Sequence, residues 1–239
     1  MSDHSSLVGH TALVTGASRG IGARVAEALA EAGARVWLMA RSEALIREHA
    51  VRLGASALVA DLSDEVAVWE ALDGLQEELG GPPSVVVNAA GVFGLSAVAR
   101  TGVKDFDDHI AVNLRGTFLV VRALLPAMLE RGDGLIVNVG SVAGRKAFPG
   151  NAAYSASKFG LRGFHEVLLE ETRGTGVRAT LLEPAATDTS LWDALDPDAD
   201  PGLPNRDEML TPDDVAQAVL FVATRPPHLR IPVLQIERA

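Results

Sequence analysis

Thr11-Ala12-Leu13-Val14-Thr15-Gly16-Ala17-Ser18-Arg19-Gly20-Ile21-Gly22 is the stretch whose reading decides the fold. An apolar run of strand length ends in a turn with glycines at 16, 20 and 22. Ala23 to Ala32 then has helix-forming composition, with Gly33 placed to stop it. Strand, Gly-rich turn and helix in that order make a β-turn-α unit. Glycines permit a tight turn and close approach of backbone to a ligand, and the first amides of the helix present partial positive charge to an anion. Gly16, Ser18, Arg19, Gly20, Ile21 and Gly22 are therefore candidates to hold the pyrophosphate of a dinucleotide. The spacing is not Gly-x-Gly-x-x-Gly: three residues separate the first two glycines and one separates the last two.

Working outward, strands and helices alternate. Strands are expected at Arg35 to Ala40, Ala57 to Ala60, Val85 to Asn88, Leu135 to Val139, Val177 to Leu182 and Pro232 to Ile236. Helices are expected at Leu45 to Leu53, Asp64 to Leu79, Val103 to Arg131 with a break, Ala152 to Arg173 and Pro212 to Ala223. The strands read as continuous apolar runs, as in a parallel sheet covered on both faces. Right-handed crossovers then give an α/β, doubly wound parallel sheet of about seven strands, a Rossmann fold, with its ligand crevice at the carboxyl ends of the strands. One domain over 1–239 is expected. Ala185 to Leu210 lacks periodicity and is rich in Asp and Pro, which reads as a substrate lid over about 185–210 that orders on ligand binding.

The end of the second strand bears on cofactor choice. A carboxylate there would bind ribose hydroxyls, yet the chain exits into Arg41-Ser42. Arg41, with Arg19 from the turn, suits a 2′-phosphate through charge-assisted bonds. NADP(H) is expected rather than NAD(H).

Tyr154 and Lys158 lie four residues apart with Ser141 upstream. On a helix that spacing puts phenol and ammonium on one face, about 5–6 Å apart at Cβ. Lowering a Tyr pKa from about 10 to about 7 needs roughly 4 kcal/mol of preferential stabilisation of the anion. An ammonium and a nicotinamide cation in a desolvated cleft would supply it.

Together these residues make the chain resemble the short-chain dehydrogenase/reductase family, in its compact branch, over nearly its whole length. Thr15 to Gly22 resembles that family's cofactor turn, Asp61-Leu62 its adenine-contacting pair, and Asn88-Ala89-Ala90-Gly91 its sheet-supporting segment. The resemblance implies a catalytic set of Asn113, Ser141, Tyr154 and Lys158. Tyr154 would be the general acid/base, Ser141 would orient the substrate oxygen, Lys158 would also bind the nicotinamide ribose, and Asn113 would hold a water relaying protons to Lys158. Pro184, Thr187 and Thr189 would sit beside the nicotinamide carboxamide, and Asn88 and Gly91 would join the cofactor set. The implied activity is NADP(H)-dependent hydride transfer to or from a carbonyl or secondary alcohol, with an epimerase/dehydratase or a non-catalytic dinucleotide sensor as alternatives. A homotetramer, or else a dimer, is implied, its interface formed by Leu114, Phe118, Val121, Leu125, Phe159, Phe164 and Leu168. Two positions depart from the pattern: Ala89 replaces an asparagine, and Ala185 a glycine whose backbone freedom would matter if φ were positive.

Composition sets the outer bounds. The 239 residues carry a formal net charge of −10, which opposes nucleic acid and anionic membranes. There is no cysteine, hence no disulfide or thiolate metal site. The six histidines, at 4, 10, 49, 109, 165 and 228, lack ligand spacing, so no metal is expected and they read as surface or packed residues. A cytoplasmic enzyme is expected, acting on a small molecule. Leu191, Trp192, Leu195 and Leu203, with Phe93, Val142 and Phe148, are candidates to line its substrate pocket.

Overall fold

The structure is a computed structural model, and it describes residues 6–239. Its strands are β1 (Thr11–Thr15), β2 (Arg35–Ala40), β3 (Ser56–Val59), β4 (Val85–Asn88), β5 (Gly134–Val139), β6 (Val177–Pro184) and β7 (Val233–Ile236). They form one parallel sheet in the order β3-β2-β1-β4-β5-β6-β7. The order reverses beside β1, between β1 and β4, which opens a crevice at the carboxyl ends of these strands. The α-helices are α1 (Gly20–Glu31), α2 (Glu43–Leu53), α3 (Glu65–Leu79), α4 (Val103–His109), α5 (Thr117–Arg131), α6 (Ala152–Glu171) and α7 (Pro212–Ala223).

Side-chain alternation along the strands feeds two cores. Ala12, Val14, Val36, Leu38, Val85, Val87, Leu135 and Val137 face α1, α2 and α7, whereas Leu13, Trp37, Met39, Val86 and Ile136 face the side covered by α3, α5 and α6. Both faces are buried, which is why the strands read as unbroken apolar runs. The helical run Val103–Arg131 is long and apolar enough to cross a membrane by composition. Here it lies along the sheet and contributes Leu119, Val120, Leu124 and Met128 to the second core.

Two expectations are refined. The break in Val103 to Arg131 is a seven-residue π turn, Ile110–Gly116, between α4 and α5. Such turns widen a helix locally and recur at functional sites; this one carries Asn113. The segment after β6 is not structureless. It holds 3-10 turns at Ser190–Leu195 and Arg206–Glu208 and is pinned at its ends by a bridge between Thr187 and Leu210.

Candidate functional site

The Gly-rich turn is compressed against its neighbours. A Cβ at Gly16 would lie 2.5 Å from the Ala90 Cα, and one at Gly22 would lie 2.4 Å from the Gly16 carbonyl oxygen. Gly16 and Gly20 also have φ of 68° and 58°. These packing limits explain the glycine spacing. The turn delivers the N-terminus of α1 with no side-chain cap at Arg19 and no acid in the first turn. Uncapped amides opening into a crevice suit a phosphate.

That crevice is a cavity of about 650 Å³. Gly16, Ser18, Arg19, Gly20, Ile21, Gly22, Arg41, Asp61, Leu62, Gly91, Ser141, Tyr154, Lys158, Pro184, Thr187 and Thr189 all line it. The exposed Arg19 and Arg41 lie at its β1–β3 end. Burial acts to raise the Asp61 pKa, but the Ser63 N–H and hydroxyl donate to its carboxylate and the Arg41 charge adds to them, so the net shift is downward. Asp61 thereby stays an anionic anchor for its loop.

Two sequence candidates do not reach the cavity. Asn88 is buried in the sheet, where its Nδ2 donates to Asn138 Oδ1 at 2.9 Å. At the last position of β4 its side chain turns into the sheet and does not line the cavity. Asn113 is likewise wholly buried. Its Oδ1 accepts from Val92 N–H at 2.8 Å, and its Nδ2 donates to the Val92 carbonyl and to Ser157 Oγ, both at 3.0 Å. Both Nδ2 hydrogens and one Oδ1 lone pair are thereby engaged within the protein. Asn113 instead clamps the loop after β4 to α6, and Ser157 passes the link on by donating to the Tyr154 carbonyl at 2.7 Å.

The reacting cluster is built from β5 and α6. Ser141 follows β5, and its Oγ accepts from Ala143 N–H at 3.1 Å, fixing the rotamer. Gly144 lets that turn touch α6: a Cβ there would meet the Lys158 carbonyl oxygen at 2.8 Å. Lys158 is buried, and its Nζ donates to the Val139 carbonyl at 2.8 Å while lying 5.6 Å from the Tyr154 ring centroid. Burial alone pulls its pKa down to about 8. Tyr154 is pushed above its ordinary value by burial, with the Ser141 hydroxyl opposing. The expected lowering joins the ammonium to a bound nicotinamide cation; the protein's own groups leave the phenol raised. Desolvation dominates at both groups.

Phe93 packs edge-on against Tyr154 at 4.9 Å and tilted against Trp192 at 4.8 Å, at the β4–β6 end. Val142, Phe148, Leu191 and Leu203 join this wall, whereas Leu195 does not. Ala185 does not have positive φ, so its departure from glycine is free of strain. Asn151, His109 and Arg206 were not singled out from the sequence. Asn151 lines the cavity one turn before Tyr154, and the buried His109 ring sits 6.3 Å from the Tyr154 ring. Arg206 gathers Asp188, Asp193 and Asp198 of the lid. The density of Asp in 188–200 hinted at an unmatched cation, but nothing local identified it. No cluster of metal-binding side chains occurs among the described residues.

With the geometry in place, similarity to known proteins decides the class. The short chain dehydrogenase family model matches residues 10–200. The chain belongs to the short-chain dehydrogenase/reductase family, a family of oxidoreductases. It is 37% identical over 227 residues to D-threitol dehydrogenase of Mycolicibacterium smegmatis, covering 91% of this chain and 87% of that protein. It is also 37% identical over 240 residues to glycine betaine reductase ATRR of Emericella nidulans, covering 97% of this chain but only 19% of that much longer protein. Among solved structures, the closed form of serine dehydrogenase complexed with NADP+ superposes with a TM-score of 0.88 at 32% identity, covering 95% of this chain and 94% of the other.

Proposed function

We propose that the chain is an NADP(H)-dependent oxidoreductase acting on a carbonyl or secondary alcohol of a small molecule, with Tyr154 as general acid/base. The observation that carries this is one continuous cavity with two unlike ends. Two guanidiniums and an uncapped helix terminus stand at one end, and Ser141, Tyr154 and Lys158 converge at the other.

The cofactor fits the residues present. Gly16 to Gly22 would take its pyrophosphate, Arg19 and Arg41 its 2′-phosphate, Asp61 and Leu62 its adenine, Lys158 its nicotinamide ribose, and Pro184, Thr187 and Thr189 its carboxamide. When bound, it supplies or accepts the hydride. In reduction, Tyr154 donates its proton to the carbonyl oxygen, and Ser141 holds that oxygen in place. A phenol whose pKa lies above its usual value keeps the proton until the oxygen becomes basic. In oxidation the phenolate must form first, and the Lys158 ammonium is the nearby charge that favours it. Asn113 positions α6 against the loop after β4. Solvent is kept from the reacting end by Phe93 and Trp192.

Reduced-nicotinamide absorbance followed with a panel of ketones and alcohols tests the reading. Steady turnover supports it, conversion without absorbance change means an epimerase or dehydratase, and binding without conversion means a sensor. The NADP preference is tested by Arg41→Asp, which replaces a phosphate partner with a repulsive charge. The ratio of kcat/KM for NADPH over NADH should fall at least about tenfold, and an unmoved ratio in both Arg41→Asp and Arg19→Ala would place the 2′-phosphate elsewhere.

A further inference from the structure

One peptide of the Gly-rich turn is held from three directions. Ala17 is fully buried, and its N–H donates to the Met39 carbonyl of β2 at 3.3 Å. Gly22 brings α1 against the same residue, since a Cβ there would lie 3.1 Å from the Ala17 nitrogen. The third contact is a side chain. His49 of α2 is 5% exposed and places its Nδ1 2.9 Å from the Ala17 carbonyl oxygen. A carbonyl only accepts, so Nδ1 carries the proton.

The ring is itself fixed from its far side. Its Nε2 lies 3.3 Å from the Glu27 carboxylate of α1, which Arg52 of α2 engages at 2.9 Å and Arg24 of α1 at 3.5 Å. Two helices grip one imidazole, and the imidazole grips the turn between β1 and α1. Most buried histidines are packed residues whose nitrogens are satisfied by their surroundings; what sets this one apart is the peptide it holds. The Ala17 carbonyl and the Ser18 N–H belong to one trans peptide and point in opposite directions. With the carbonyl turned to α2, the Ser18 N–H is turned away from it, and Ser18 lines the cavity whereas Ala17 does not. Among the described residues no backbone acceptor takes that N–H. It is available to an anion, next to the uncapped amides that open α1.

We infer that His49 is a positioning residue for the dinucleotide: by holding the Ala17 carbonyl it fixes the Ala17–Ser18 peptide in the orientation that presents an amide to the pyrophosphate. Without that bond a buried carbonyl loses its partner and the peptide is released to rotate. This rests on reading the cavity as a nicotinamide-dinucleotide site. It is separate from the choice between NADP and NAD, because the pyrophosphate is common to both.

The test compares His49→Leu with His49→Asn. The two replacements branch alike at Cγ, and only Asn keeps a donor where Nδ1 stands. Calorimetric Kd values for NADP and for NAD should rise about tenfold in His49→Leu, by the same factor for both, and stay within about threefold of the parent in His49→Asn. A role in packing alone predicts the reverse order, because Leu suits an apolar site better than a primary amide does. Urea unfolding of the three proteins separates these cases: affinity should follow the donor and not the stability. Unchanged affinity in His49→Leu, or binding by His49→Asn no tighter than by His49→Leu, would overturn the inference. The parent gives a second judgement should the variants not fold, since nitrogen-15 NMR of the free protein should show the His49 Nδ1 protonated and a bare Nδ1 would overturn the assignment. If neither dinucleotide binds the parent, the oxidoreductase reading fails by itself. Hydrogen exchange over residues 16–20 of the free proteins then judges His49, with faster exchange in His49→Leu than in His49→Asn supporting it and equal exchange overturning it.

Discussion

His165, a residue the mechanism does not use, contributes to the loss of stability in acid. It has no exposed surface. Asn138 Nδ2 donates to its Nδ1 at 3.1 Å, and its Nε2 donates to the Pro232 carbonyl at 3.2 Å, which fixes the neutral tautomer. Asn88 joins the chain through Asn138, so one polar ladder ties β4, β5, α6 and the segment before β7. Burial holds the His165 pKa down at about 4, against 6.5 for the free group. Below pH 6.5 the unfolded chain takes up a proton that the folded one refuses, so stability falls as pH drops and this contribution is gone below about 4. The difference between these two values corresponds to roughly 3 kcal/mol. Urea unfolding of the parent and His165→Gln across pH 7 to 4 should show a steeper acid loss in the parent by about that amount, and parallel curves would contradict it. At the same scale, Tyr154 and Lys158 are shifted in opposite directions by one cause: each loses solvation in its charged form.

Among elements, the lid is organised by one side chain. Arg206 pairs with Asp193 at 2.7 Å and also with Asp188 and Asp198, while the lid ends are stitched by Asp188 N–H to the Leu210 carbonyl and Leu210 N–H to the Ala186 carbonyl, both at 2.8 Å. Single exposed pairs contribute little, but three carboxylates on one guanidinium form a network. Trp192 hangs from this network onto Phe93. Arg206→Ala should speed hydrogen exchange over residues 190–208 and raise substrate KM several-fold, with kcat changed less. Exchange that does not change would show the lid is held by its end bridges alone. The helices α5 and α6 carry the second element-scale prediction. Val121 and Leu168, expected at an interface, are core residues. Phe118, Phe159 and Val167 are left exposed, with Leu125 partly so. We propose that this face joins copies of the chain into a dimer or tetramer. Light scattering at micromolar concentration should show an assembly that Phe118→Glu with Phe159→Glu reduces towards monomer, and a monomeric parent would refute it.

For the molecule as a whole, the parallel sheet and its crevice were legible because both signals are local: runs such as Val85-Val86-Val87 and the glycines of 16 to 22. The cavity lining followed from motif positions for the same reason. What stayed hidden depends on contacts between distant segments. The burial that raises Tyr154, the clamp of Asn113 on Val92, the unpaired amide of Asn151 and the hold of Arg206 on three aspartates all arise across separate elements. The fold brings β5, α6 and the loop after β4 together so that one phenol faces the cavity beside a buried ammonium. That juxtaposition is the central claim, and Tyr154→Phe tests it most directly, since the ring and its packing on Phe93 remain while the proton-bearing oxygen goes. NADPH-driven turnover in Tyr154→Phe should fall by at least about a hundredfold while NADP binding stays within about threefold of the parent; turnover within about tenfold of the parent would contradict the account.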